Sequence, residues 1–212
     1  MGWEYGQYIW DRLYEDIGNE IGVAGLMGNL VAESNLIPYR LQGDFTNGYV
    51  TSIEYTEQVD NGTVSEYDFV NNGPNGGGYG LAQWTFPARK QNLYNLKVER
   101  GVSIGDLVLA VDFLILELHG EFRGVRNVLI NATSLREASD YVLHNFERPA
   151  DQSVEAEIRR EGLCQSVYNT YANTEPNPNP DPDPTPDPEP PTPSPTTKIR
   201  CMPIWMYSQF RE

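Results

Sequence analysis

The chain has no basic stripe. Its 15 Lys and Arg stand against 30 Asp and Glu, for a formal net charge of −15. Nucleic acid and anionic membrane surfaces are bound through clustered positive charge, so neither is expected as a partner. Cysteine is nearly absent. Cys164 and Cys201 lie in different segments, with neither a disulfide framework nor metal-ligand spacing, so free thiols, no metal and no cofactor are expected. No apolar run approaches the ~18 residues needed to span a bilayer, and the first residues lack a basic-then-apolar leader. A soluble protein without membrane insertion is expected. It would reach a target outside the cell on a particle or at lysis.

Composition changes abruptly near residue 173. Residues 1–172 are long enough for one domain with a full core and hold 24 acids against 12 bases. Residues 173–197 are mostly Pro with Asn, Asp, Glu and Thr. Such a segment cannot form a core and is expected to be a disordered, extended linker of polyproline II character, reaching up to ~3.1 Å per residue. Residues 198–212 turn apolar again, with Ile199, Met202, Ile204, Trp205, Met206, Tyr207 and Phe210. That tail is too short for a binding domain. It reads as a docking peptide, a strand added to a partner sheet, or a remnant packed on the first domain.

Within residues 1–172 the apolar spacing is helical. Ile9, Trp10, Leu13, Tyr14 and Ile17 predict a helix over about 4–17, and Asn19 can cap a second over about 20–33. Gly22, Gly25 and Gly28 fall near one face of that second helix. Each costs ~1 kcal/mol against Ala, so another backbone is expected to pack closely there. Residues 49–59 and 63–70 read as a β-hairpin around the turn Asp60-Asn61-Gly62. Further helices are expected from Thr85 with Pro87 in the first turn, from Ser103–Asp106, from Ser134–Glu137 as a capping box, and from Ser153. The fold class is α+β: mostly helical, with a small β-hairpin region.

The second helix ends on Glu33, followed by Ser34-Asn35 and Pro38. A glycosidic oxygen leaves only once protonated, which requires a carboxylic acid that keeps its proton near neutral pH. A helix C-terminus disfavours a carboxylate, and Leu30, Val31 and Ala32 suggest dry surroundings for it. About fifty residues on comes Gly78-Tyr79-Gly80-Leu81-Ala82-Gln83-Trp84-Thr85. Its glycines let backbone approach a ligand, Tyr79 and Trp84 offer flat faces to a sugar, and Gln83 can both donate and accept.

Together these segments resemble the Glu-Ser and Gly-Leu-x-Gln signatures of the lysozyme superfamily. A sharper resemblance is to the phage tail lysozyme family, also found in prophage endolysins. It is carried by Val23 through Ser34, Tyr55-Thr56, Val59 through Gly62, Gly78 through Thr85, Arg89-Lys90, Ile104 through Leu107, Arg136 through Asp140 and Phe146 through Ser153. It spans nearly all of residues 3–172. The resemblance implies a lysozyme-like fold, bacterial peptidoglycan as substrate, cleavage of its glycan strands, and Glu33 at the catalytic acid position. Ser34, Tyr55, Tyr79, Gly80, Gln83 and Trp84 are the expected substrate-binding residues. The tail would meet a phage structural or wall component. The protein would be part of a virion or released from the host cytoplasm at lysis.

The second catalytic group is open. A retaining enzyme needs a carboxylate ~5–5.5 Å from the acid, an inverting one ~6.5–9.5 Å. Asp44, Glu54, Glu57, Asp60 and Asp68 are candidates, with Asp60 favoured because its turn could point back at the cleft. Glu147, in Phe-Glu-Arg-Pro, is a further candidate that reads first as a cap or as an ion pair with Arg148. A lytic transglycosylase would need only Glu33. A non-catalytic wall-binding or tail module, or a plain helical domain, remain the rivals from other classes.

Overall fold

Asn19 starts the helix around which the molecule is assembled. Its side-chain oxygen accepts from the backbone N–H groups of Ile21 and Gly22, while its amide donates to the carbonyls of Ile130 and Ala132, each at 3.0 Å. The structure, a computed structural model, describes residues 2–43, 51–74 and 77–172. The expected linker, the apolar tail, Asp44 and residues 49–50 of the expected hairpin lie outside the described residues.

The described helices are α1 (Gly6–Ile17), α2 (Glu20–Ser34), α3 (Ser52–Asp60), α4 (Glu66–Asn71), α5 (Pro87–Arg100), α6 (Leu107–His119), α7 (Arg123–Ile130), α8 (Leu135–Val142) and α9 (Val154–Tyr171). A π-helical turn, Leu143–Glu147, continues α8. No described helix is long and apolar enough to cross a membrane.

Helix α2 is buried along nearly all its length, and its three glycines are the contact points. A Cβ on Gly22 would lie 2.1 Å from the carbonyl oxygen of Leu129 in α7. On Gly25 it would meet the Ala138 methyl of α8 at 2.4 Å, and on Gly28 the Cys164 backbone nitrogen of α9 at 2.5 Å. Three helices thus approach α2 more closely than any side chain permits. The free thiol of Cys164 is sealed in this contact.

Local capping explains most boundaries. Asp106 accepts from Leu109 N–H, Ser134 from Glu137 N–H and Ser153 from Ala156 N–H. Helix α7 was not foreseen, and Phe122, which precedes it in the capping position, supplies no side-chain cap.

The expected β-hairpin is absent, which corrects the fold class from α+β to mostly helical. Residues 52–60 and 66–71 form α3 and α4 instead. Thr51 and Glu54 make a reciprocal capping box, and Ser65 accepts from Asp68 N–H. Ser52, Tyr55 and Val59 are buried at helical spacing. The Asn61-Gly62 turn is real, with Gly62 at φ 81°, but it joins two helices. Among the described residues, extended pairing is confined to two isolated bridges, Leu41 with Tyr79 and Tyr79 with Trp84.

Candidate active site

Glu33 stands in the last turn of α2, whose end is fixed by Asn35 in the left-handed conformation at φ 56°. Its side chain keeps 18 % exposure, and its Oε1 accepts from Arg160 Nη2 at 2.5 Å. Arg160 comes from α9 and is itself buried. Its Nη1 donates to Asn29 Oδ1 at 3.0 Å, one turn before Glu33. The Asn29 amide in turn donates to the carbonyls of Gly25 at 2.9 Å and Ser139 at 3.2 Å. A chain of polar contacts through α8, α2 and α9 therefore orients the carboxyl. Glu33 Oε2 makes no hydrogen bond among the described residues. The surroundings are not purely apolar, because a guanidinium faces the carboxylate.

A second ion pair lies in the same region. Arg89 of α5 grips Glu117 of α6 with Nε at 2.6 Å and Nη2 at 2.8 Å, and the Trp84 indole N–H donates to the same carboxylate at 2.9 Å. The guanidinium also lies over the rings of Phe122 and Phe146, 4.9 and 4.8 Å from their centroids. Glu147 follows Phe146 at the end of the π-helical turn. It is within electrostatic reach of Glu33, Arg89, Arg160 and Glu117. The residue keeps an edge at the surface, but its Oε1 is inaccessible and meets no hydrogen-bond donor among the described residues. Burial, reinforced by the charge of Glu33, pushes this carboxyl well above the usual carboxylate range, against the pull of Arg89 and Arg160.

Of the residues expected to hold substrate, most are built into a wall of packed side chains. Tyr79 and Trp84 are both 0 % exposed. Tyr79 packs edge-on to Phe69 at 5.4 Å and bonds Thr56 through its hydroxyl at 2.6 Å, and Trp84 packs edge-on to Phe113 at 5.1 Å. Neither ring has a face open to a ligand. Tyr55 is buried against Phe69 and Tyr79, its hydroxyl without a partner among the described residues, and burial pushes it up to about 12. Gly80, at φ 79°, leaves room for Trp84, whose Cζ3 would stand 2.6 Å from a Cβ. Ser34 is buried and bonds back to the Leu30 carbonyl at 3.1 Å. Gln83 is half-buried at φ 43° and donates to the carbonyls of Arg40 and Gly80. Buried Lys90 draws the glycine-rich loop onto this wall. Its ammonium donates to the Gly77 carbonyl at 2.9 Å and lies 4.6 Å from the Phe69 ring centroid.

Asp60 is the last residue of α3 rather than part of a hairpin turn. Its carboxylate accepts from Ser103 Oγ at 2.5 Å and Ile104 N–H at 2.9 Å, and lies 3.2 Å from Lys97 Nζ. It ties α3 to α5 and to the loop before α6. Asp68 is similarly engaged at the start of α4, with Ser65 and Asn72.

Sequence reasoning missed Arg160, Asn29 and the Arg89–Glu117 pair. A signal was present. Ala156, Arg160, Cys164, Val167 and Tyr171 form the buried face of α9, so Arg160 is a cation in an otherwise apolar helical stripe. Asn29 likewise interrupts the apolar run of α2. A buried charge at such a position needs a partner.

The family model described as phage tail lysozyme matches residues 4–171, a stretch that contains every described helix. No match was found among curated proteins.

Proposed function

We propose that this chain, which belongs to the phage tail lysozyme family and so to enzymes with a lysozyme-like, peptidoglycan-degrading function, cuts the β-1,4 bond between MurNAc and GlcNAc with Glu33 as general acid. One observation carries the assignment. Glu33 is a largely buried carboxyl at a helix end that keeps 18 % exposure, with one oxygen anchored by buried Arg160 and the other without a hydrogen bond among the described residues. In the reaction Glu33 gives its proton to the glycosidic oxygen as the bond to the sugar carbon breaks. Arg160 then faces the carboxylate that results. Water completes hydrolysis at the anomeric carbon. The enzyme would meet the wall from a virion or after lysis.

The engagement of Asp60 by three donors favours a second route, in which no further carboxylate is needed. There the 6-hydroxyl of MurNAc attacks intramolecularly and leaves an anhydro sugar, as in a lytic transglycosylase. Digestion of purified peptidoglycan with the full chain and with Glu33→Gln, followed by mass spectrometry of the soluble fragments, tests both routes. Reducing-end MurNAc from the wild type alone supports the muramidase. Fragments ~18 Da lighter, by loss of one water through intramolecular attack, indicate the transglycosylase. Equal products from both proteins would remove Glu33 from the chemistry. Saccharide binding without cleavage would indicate a wall-binding module.

A further inference from the structure

Glu33, Glu117 and Glu147 share one electrostatic cluster with Arg89 and Arg160. Arg89 is matched to Glu117 and Arg160 to Glu33, which leaves Glu147 as the surplus acid. Its Oε1 is sealed from solvent and has no donor, a costly arrangement for an ionised carboxylate and an inexpensive one for a protonated acid. Glu147 lies within electrostatic reach of Glu33 in α2, Arg89 in α5, Glu117 in α6 and Arg160 in α9. On its own segment His144 is held by Gln152 and Glu157, and Arg148 follows it in the left-handed conformation.

We propose that Glu147 is a positioning residue for the general acid: Glu33 and Glu147 compete for Arg160, and the carboxyl that lacks the guanidinium holds the shared proton. The proposal rests on Glu33 being that acid. At rest Arg160 pairs with the Glu33 carboxylate and Glu147 is neutral. When Arg160 turns to Glu147, the proton passes from Glu147 to Glu33, and the net charge of the cluster is unchanged. Glu33 then delivers that proton to the glycosidic oxygen, and the water whose hydroxyl adds to the anomeric carbon returns its proton to the pair. This arrangement resolves the tension between an acid that must carry a proton and the guanidinium 2.5 Å from it.

The test is the pH profile of peptidoglycan solubilisation by the full chain, its Glu147→Gln and Glu147→Asp variants, and Glu33→Gln. Glutamine cannot take the charge, so Arg160 stays on Glu33. The alkaline limb of kcat is expected to move down by about one pH unit, and turnover at pH 7 to fall about tenfold with KM unchanged. Glu147→Asp should restore most of the loss. A Glu147→Gln profile that superimposes on the wild type overturns the proposal while leaving Glu33 as the acid. Turnover surviving in Glu33→Gln overturns both. Should Glu147→Gln fail to fold, carbon-13 NMR of the glutamate carboxyls in the wild type decides. One protonated glutamate at pH 7 supports the proposal, and every glutamate ionised at that pH overturns it.

Discussion

Arg160 and Glu33 are joined across two helices by a 2.5 Å contact between Nη2 and Oε1, with both side chains largely out of water. The pair couples an anchor in the core to a carboxyl that keeps 18 % exposure, so fold stability and activity should respond differently to its two members. Arg160→Met strands a partly buried carboxylate and should cost about 3 kcal/mol. Glu33→Gln keeps an acceptor for the guanidinium and should cost about 1 kcal/mol while abolishing turnover. Chemical denaturation and peptidoglycan solubilisation on the same samples check this. Equal destabilisation by both variants would contradict the arrangement.

Asp60 offers a contrast. Its carboxylate is occupied by Ser103, Ile104 and Lys97. Asp60→Asn is expected to lower stability by about 1 kcal/mol and to keep turnover within about threefold of wild type. Complete loss of activity with an intact melting transition would return Asp60 to the chemistry.

Lys90 gives a pH signature. Burial pushes its ammonium down to about 8 from 10.5. The unfolded chain therefore binds a proton that the folded chain has released between pH 8 and 10.5. Lys90's contribution to stability is least favourable below about pH 8 and becomes more favourable as pH rises through that window. Between pH 8 and 9.5 the wild type should gain roughly 1.5 kcal/mol relative to Lys90→Met. This interval lies below the window in which Tyr79, pushed up by its burial, begins to oppose folding. Urea unfolding of both proteins at several pH values measures the difference. Parallel curves would refute it.

Two glycines in helices should respond with opposite signs. Gly22→Ala drives a methyl into the Leu129 carbonyl, 2.1 Å from the ideal Cβ, and should cost about 2 kcal/mol or more after the gain in helix propensity. Gly162, in α9, has nothing within 4 Å of its Cβ position, and Gly162→Ala should add about 0.5–1 kcal/mol. Melting temperatures of the two variants decide.

The parts of this fold that were legible in the sequence are those written locally. Gly22, Gly25 and Gly28 announced the close packing of α2, and the caps at Asn19, Ser134 and Ser153 announced their helices. The position of Glu33 at a helix end was legible for the same reason. The hairpin was misread because Asn61-Gly62 is a strong turn signal, whereas the caps at Thr51 and Ser65 outweigh it by satisfying helix N–H groups on either side. Tyr79 and Trp84 were expected to face a sugar because aromatic residues between glycines suit both a cleft and a core. Their burial follows from the bridges to Leu41 and to each other, which periodicity does not encode. The partners of Glu33 come from residues more than one hundred positions away in the chain, beyond the reach of any local pattern.

The π-helical turn at Leu143–Glu147 has a consequence for how this protein tolerates change in length. Such a turn holds one residue more than an α-helical turn, and each residue of an α-helix rotates the chain by about 100°. Deleting a single residue between Leu143 and Phe146 would let α8 continue as regular helix and would swing Glu147 roughly a quarter-turn around the axis. Its carboxyl would leave the electrostatic reach of the two arginines although every residue of the cluster was still present. Apart from those at Glu147, single substitutions in this turn are a matter of packing, but an insertion or deletion there changes the direction in which an acid points. Along this stretch the protein should therefore accept exchanges of residue type far more readily than any change in their number.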